Sequence, residues 1–115
     1  MCSRRINQRF LKVFLHRNRV ADVVHALFRA GHCPQACSLS IVDVQGTLEA
    51  IDPRERDFSL EAGAEMITEV KLELLVQDDA VEEVVALLHE YARTGQELSG
   101  WICVYDVARA EPIRG

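Results

Sequence analysis

The sequence predicts an α+β sandwich of order βαββαβ, with two helices packed on one face of an antiparallel sheet. Three observations carry this. Val20, Val23, Val24, Leu27 and Phe28 recur at i, i+3, i+4, i+7 and i+8, which is one apolar helical stripe. Val81, Val84, Val85, Leu88 and Tyr91 form a second. Between them Val70, Leu72, Leu74 and Val76 alternate with Glu69, Lys71, Glu73 and Leu75, the period of a strand with one buried face.

Residues 1–8 read as a loose basic leader without the long apolar stretch of a signal peptide. Residues 10–16 (FLKVFLH) form the first strand, with Leu11, Val13 and Leu15 on one face. Asn18 is placed to cap the first helix, and Gly31 to close it. Pro34 keeps the helix from resuming. Residues 37–44 (CSLSIVDV) are the second strand. Residues 45–65 hold two glycines, a proline and many acids without a sustained period. They predict an irregular loop with Arg54–Asp57 at its tip, and a loop that long in a small domain usually carries function. Residues 67–76 are the third strand. Asp79 and Glu82 resemble a capping box at the start of the second helix. A polar loop over 96–100 leads to the last strand, 101–107 (WICVYDV). Right-handed crossovers put both helices on one side, which makes this a ferredoxin-like sandwich.

With 115 residues and 49% hydrophobic composition, the chain is a single domain, 1–115, with a real core. Its net charge of −5 argues against a dedicated nucleic-acid binder, and no apolar run reaches the ~20 residues of a membrane span. The charge is uneven. The first 42 residues carry seven Lys or Arg against Asp22 alone, so they sum to +6 and the rest to −11. Cys2, Cys33, Cys37 and Cys103 read as reduced thiols of a cytoplasmic protein. His32, Cys33 and Cys37 are an alternative soft-metal cluster, though they lack the paired C-x-x-C spacing of strong zinc sites. No Ser/His/Asp or Cys/His arrangement and no Walker pattern points to an enzyme.

The segment Thr94-Gly95-Gln96-Glu97-Leu98-Ser99-Gly100-Trp101-Ile102 resembles the PII signal-transduction family, which carries a Thr-Gly, a short phosphate-binding loop and then a strand. The similarity runs upstream through EVKLELLVQDDAVEEVVALLHEYARTG and downstream to Ile113-Arg114-Gly115. The resemblance implies a homotrimer with nucleotide sites in clefts between subunits. It also implies that residues 45–65 form the long mobile loop that docks on a target protein, such as a transporter, an enzyme or a carboxysome component. Gly95, Leu98, Ser99, Gly100 and Trp101 would then line the phosphate loop. Arg114 would reach phosphate across the subunit boundary, Glu73 would lie near adenine or ribose, and Ala36 and Gly46 would mark the base contact and the loop root.

The departures from the family are informative. Glu69 stands where it has a strand lysine, Trp101 where a lysine follows the loop, and Pro112 where the first tail arginine falls. Leu98 replaces a loop glycine, and Ala36 a threonine on the adenine side. Each lost charge-assisted contact is worth ~1.5–3 kcal/mol, so ADP, AMP or cyclic AMP is expected to bind better than ATP. The loop has no tyrosine for uridylylation, since Tyr91 and Tyr105 lie elsewhere. The family's metal-holding glutamine has only Gln45 near it, one residue out of register. No metal is therefore expected. Among family members the resemblance leads to those with atypical loops that act in inorganic-carbon metabolism and respond to adenine nucleotides and bicarbonate. A ligand-free trimeric scaffold is the alternative that the missing cations favour.

Overall fold

A computed structural model describes residues 8–32 and 38–115. It has five strands and two helices. β1 (Gln8–Leu15) leads through a 3-10 turn (Arg17–Arg19) into α1 (Val20–Arg29), and β2 is Ser40–Gly46. A second 3-10 turn (Pro53–Glu55) precedes β3 (Arg56–Ser59), which turns directly into β4 (Ala64–Gln77). After a third such turn (Asp78–Ala80) come α2 (Val81–Tyr91) and β5 (Trp101–Asp106).

The sheet is antiparallel in the order β2-β4-β1-β5, with β3 paired to the start of β4. Register follows the apolar alternation: Leu11 faces Leu74, Val13 faces Leu72 and Leu15 faces Val70. Those residues, all essentially without solvent exposure, meet Val23 and Leu27 of α1 and Val84 and Leu88 of α2. The core is thus one layer of branched aliphatics between the sheet and two helices. Burying each such side chain fully contributes about 1.5–3 kcal/mol.

The other sheet face carries no helix. It bears Phe10, Lys12 and Phe14 of β1, Lys71 and Glu73 of β4, and Trp101 and Tyr105 of β5, as the pairing parity requires. Lys12 sits 5.5 Å from the Tyr105 ring centre and 4.0 Å from Glu73, and Lys71 lies 3.8 Å from Glu73.

The fold class and both helices are as expected, but Phe28 of the first stripe is half exposed, and several local expectations are corrected. Residues 45–65 are not irregular. The chain folds them into a capped turn and a β-hairpin, and β4 begins at Ala64, three residues before the predicted 67. Charged and polar residues on both faces hid this strand, because it extends past the core and buries little. Asn18 does not cap α1. It lies inside the 3-10 turn, and α1 starts at Val20 with Arg19 as its N-cap and no side-chain cap. Asp79 likewise falls in a 3-10 turn, so the Asp79/Glu82 capping box is absent. A true one forms at Asp52 and Glu55. The Asp52 carboxylate takes the Arg54 N–H at 2.9 Å, while Glu55 Oε1 takes the Asp52 N–H at 2.9 Å. Hydrogen bonds from Arg54 hold the Asp52 carboxyl below its ordinary range. Gly31 does close α1: its N–H bonds Phe28 O at 3.0 Å and the His32 N–H bonds Leu27 O at 3.0 Å, a paired helix stop. Pro34 and Cys37 lie outside the described residues, and the second strand starts at Ser40.

Candidate functional site

Where β2 runs out into the hairpin arm, the helix-free sheet face is hollowed into a cavity of about 520 Å³. Phe14, Val44 and Glu69 project into it from three neighbouring strands, Trp101 from a fourth, and Gln45, Thr47, Leu48 and Leu98 close its sides. Strand parity explains the set. Phe14 pairs with Trp101 and Val44 with Glu69, so all four side chains emerge on one face.

Glu69 is the cavity's charged group and is 4% exposed. Leu48 N–H donates to its Oε1 at 3.4 Å, and the Thr47 backbone also bonds it. A Cβ on Gly46 would overlap the same carboxylate, so the chain needs glycine there for Glu69 to lie under the arm root. Burial pushes the Glu69 carboxyl up, and the backbone bonds and the nearby His16 only partly oppose this. His16, 1% exposed, has neither ring nitrogen hydrogen-bonded to any described residue.

The segment 94–100 folds on itself. Thr94 N–H donates to Ser99 Oγ at 3.0 Å, the Thr94 and Ser99 hydroxyls lie 3.0 Å apart, and the Thr94 hydroxyl donates to Gln96 Oε1 at 2.7 Å. Gly95 has φ +90°, a conformation that favours glycine. Gly100 has a different reason. A Cβ there would meet the Phe14 carbonyl oxygen at 2.1 Å. From this loop Gln96 Nε2 donates to Glu49 O at 2.9 Å, a bond that ties the loop to the arm. A second cleft of about 520 Å³ shares Phe14, Leu98 and Trp101 with the cavity and is walled by His89, Arg93 and Ser99 among others.

The expected site residues separate. Leu98 and Trp101 share the cavity, with Gly46 at its edge over Glu69. Gly95, Ser99 and Gly100 build the neighbouring loop, within which the Ser99 hydroxyl accepts the Thr94 N–H and meets the Thr94 hydroxyl. Glu73 lies apart, between Lys12 and Lys71. Arg114 is exposed in the tail, and Ala36 lies outside the described residues. Cys33 and Cys37 do too, so the metal alternative has only His32 in view; its Nε2 lies 3.2 Å from Glu83 Oε2 without hydrogen-bond alignment. Sequence reasoning noticed Glu69 only as a replaced lysine. It missed Phe14 and Leu48, although strand parity from Leu11 onward places Phe14 on the face opposite the core.

The model of the family "Nitrogen regulatory protein P-II" matches residues 9–115. The chain belongs to the P-II family. It is 28% identical over 106 residues to nitrogen regulatory protein P-II 1 of Methanothermobacter thermautotrophicus, covering 92% of this chain and 89% of that one. Its fold is similar to that of Arabidopsis thaliana PII bound to citrate, with a TM-score of 0.66, 26% identity, and coverage of 88% of this chain and 78% of that one. P-II proteins are homotrimeric, non-enzymatic regulators that bind small effectors and control partner proteins. In this P-II protein no helix among the described residues is long and apolar enough to cross a membrane.

Proposed function

We propose that this P-II protein forms a homotrimer and binds an adenine nucleotide in the clefts between subunits, with ADP, AMP or cyclic AMP favoured over ATP. It signals to a target protein through the arm formed by residues 45–65. The observation that carries this reading is the shared wall. Leu98 and Trp101, which end the glycine-bearing loop, enclose one cavity together with Thr47 and Leu48 at the arm root. The Gln96–Glu49 hydrogen bond joins the same two segments. A ligand held there touches the loop and the arm at once, as an effector must if it is to set the arm's position.

Exposed apolar groups support the trimer. Trp101 is 58% and Tyr105 47% exposed on the helix-free face, and Ile41 is 52% exposed on the edge strand β2. A second and third copy would cover such a face and its open edges. The proposal extends to a role in inorganic-carbon metabolism with bicarbonate as a second effector, since an arm without tyrosine offers no site for the uridylylation of nitrogen-sensing members.

Calorimetry with ATP, ADP, AMP and cyclic AMP, each with and without bicarbonate, tests the reading on the intact oligomer. Micromolar binding of at least one nucleotide is expected. A trimer that binds none of them is a scaffold and ends the sensor reading.

A further inference from the structure

We infer that Glu69 makes the arm-root cavity selective by charge: it admits a neutral or cationic ligand end that donates a hydrogen bond, and it excludes carboxylates and terminal phosphates. This deepens the proposed function and rests on the same cavity.

The argument begins with the lining. Glu69 is its one ionisable group; Phe14, Val44, Gln45, Thr47, Leu48, Leu98 and Trp101 bring no charge. The carboxylate is 4% exposed and makes no ion pair with any described residue, while Lys12, Lys71, Arg9, Arg17 and Arg19 all pair elsewhere. His16 is the nearby titratable group, and it lies within the protein rather than on the cavity wall. Backbone N–H groups hold the carboxylate in place under Gly46. An anion entering would therefore meet a fixed negative charge across walls of Phe, Leu and Trp. There the interaction is screened far less than in water. A ligand N–H or O–H would instead find an acceptor already desolvated, so it gains the bond without that cost.

This orders a bound nucleotide. Its phosphates have to lie outside the cavity, and each added phosphate brings more negative charge toward Glu69. The test uses the intact oligomer and metal-free ATP, ADP and citrate. Trp101, the chain's single tryptophan, reports binding by fluorescence from the cavity wall. Glu69→Gln keeps the acceptor for Leu48 and removes the charge. It is expected to raise ATP affinity at least tenfold, to raise ADP affinity less, and to admit citrate that the unmodified chain refuses. Glu90→Gln, on an exposed helix position, removes the same net charge and is expected to change none of these. The ATP-to-ADP affinity ratio, read within one preparation, does not depend on the folded fraction.

An unchanged ratio in Glu69→Gln overturns the inference, as does tight citrate binding by the unmodified chain. If the unmodified chain binds no nucleotide while Glu69→Gln takes up citrate, the nucleotide reading fails and the charge selectivity stands. Uptake of none of the three anions by a folded Glu69→Gln overturns the selectivity as well.

Discussion

Gly100 is expected to be a structural glycine rather than a ligand-contacting one, and Gly100→Ala separates the two. The added Cβ would meet the Phe14 carbonyl oxygen at 2.1 Å and its carbon at 3.2 Å. Both belong to the backbone of β1, which cannot rotate away. An ordinary contact requires a separation larger by about 1 Å, and β1 and β5 can supply it only by moving apart where Phe14 pairs with Trp101. Overpacking of this kind costs about 1–3 kcal/mol. A weakened ladder hydrogen bond adds about 0.5–1.5 kcal/mol. The expected loss is roughly 2–4 kcal/mol, or on the order of 10 °C in melting temperature for a domain of this size. Gly95→Ala is the comparison. Nothing lies within 4 Å of its Cβ position, so only its φ of +90° is penalised, at about 1–2 kcal/mol. Urea unfolding at one fixed protein concentration, followed by Trp101 emission and by far-UV circular dichroism, reads both variants. A Gly100→Ala protein less than 1 kcal/mol below the unmodified one would refute the close approach of the two strands.

Three further outcomes are expected. Glu69→Gln shifts stability with pH: the Glu69 carboxyl is raised above its ordinary 4.5 by burial, so its protonated form is the one the fold prefers. Its contribution is full below 4.5 and is lost as pH rises through the raised value, so the variant melts higher than the unmodified chain near neutrality and matches it in acid. Equal melting curves at both pH values would contradict this. Gln96→Ala removes the Glu49 tether and costs under about 1 kcal/mol, yet amide exchange over residues 47–51 accelerates, as mass spectrometry would show. Leu27→Ala empties a fully buried site between α1 and the sheet and costs about 2–5 kcal/mol by chemical unfolding.

The core was legible because its periods are strong. Val70 to Val76 and the stripe from Val20 to Leu27 bury one face each, and burial is what hydrophobic patterning records. The hairpin was not. Arg56, Asp57 and Phe58 are all exposed in β3, so no face selects for apolar residues and the backbone ladder alone makes the strand. The 3-10 turns at Arg17–Arg19 and Asp78–Ala80 moved the helix starts off the residues best suited to cap them. Of the site, Trp101 and Leu98 were found through the resemblance. Glu69 was seen as a missing cation, but its burial under Gly46 depends on two strands meeting at the arm root and on a turn that no local pattern encodes.

β4 serves two clients along one backbone. Val70–Gln77 is braced against β1, while Ala64–Ile67 is partnered by β3 out in the arm. The arm is therefore the outer end of a core strand, and its length is a quantity that can be set in units of the pleat. Adding or removing matched residue pairs, one from each hairpin strand and two at a time per strand, would leave every side chain nearer the domain on its present face. A one-residue insertion or deletion in β4 below the arm would instead reverse the faces on one side of it, so that either the arm turns over or the apolar row from Val70 onward leaves the core. The reach of the arm can thus diverge freely among related chains, while its point of departure cannot.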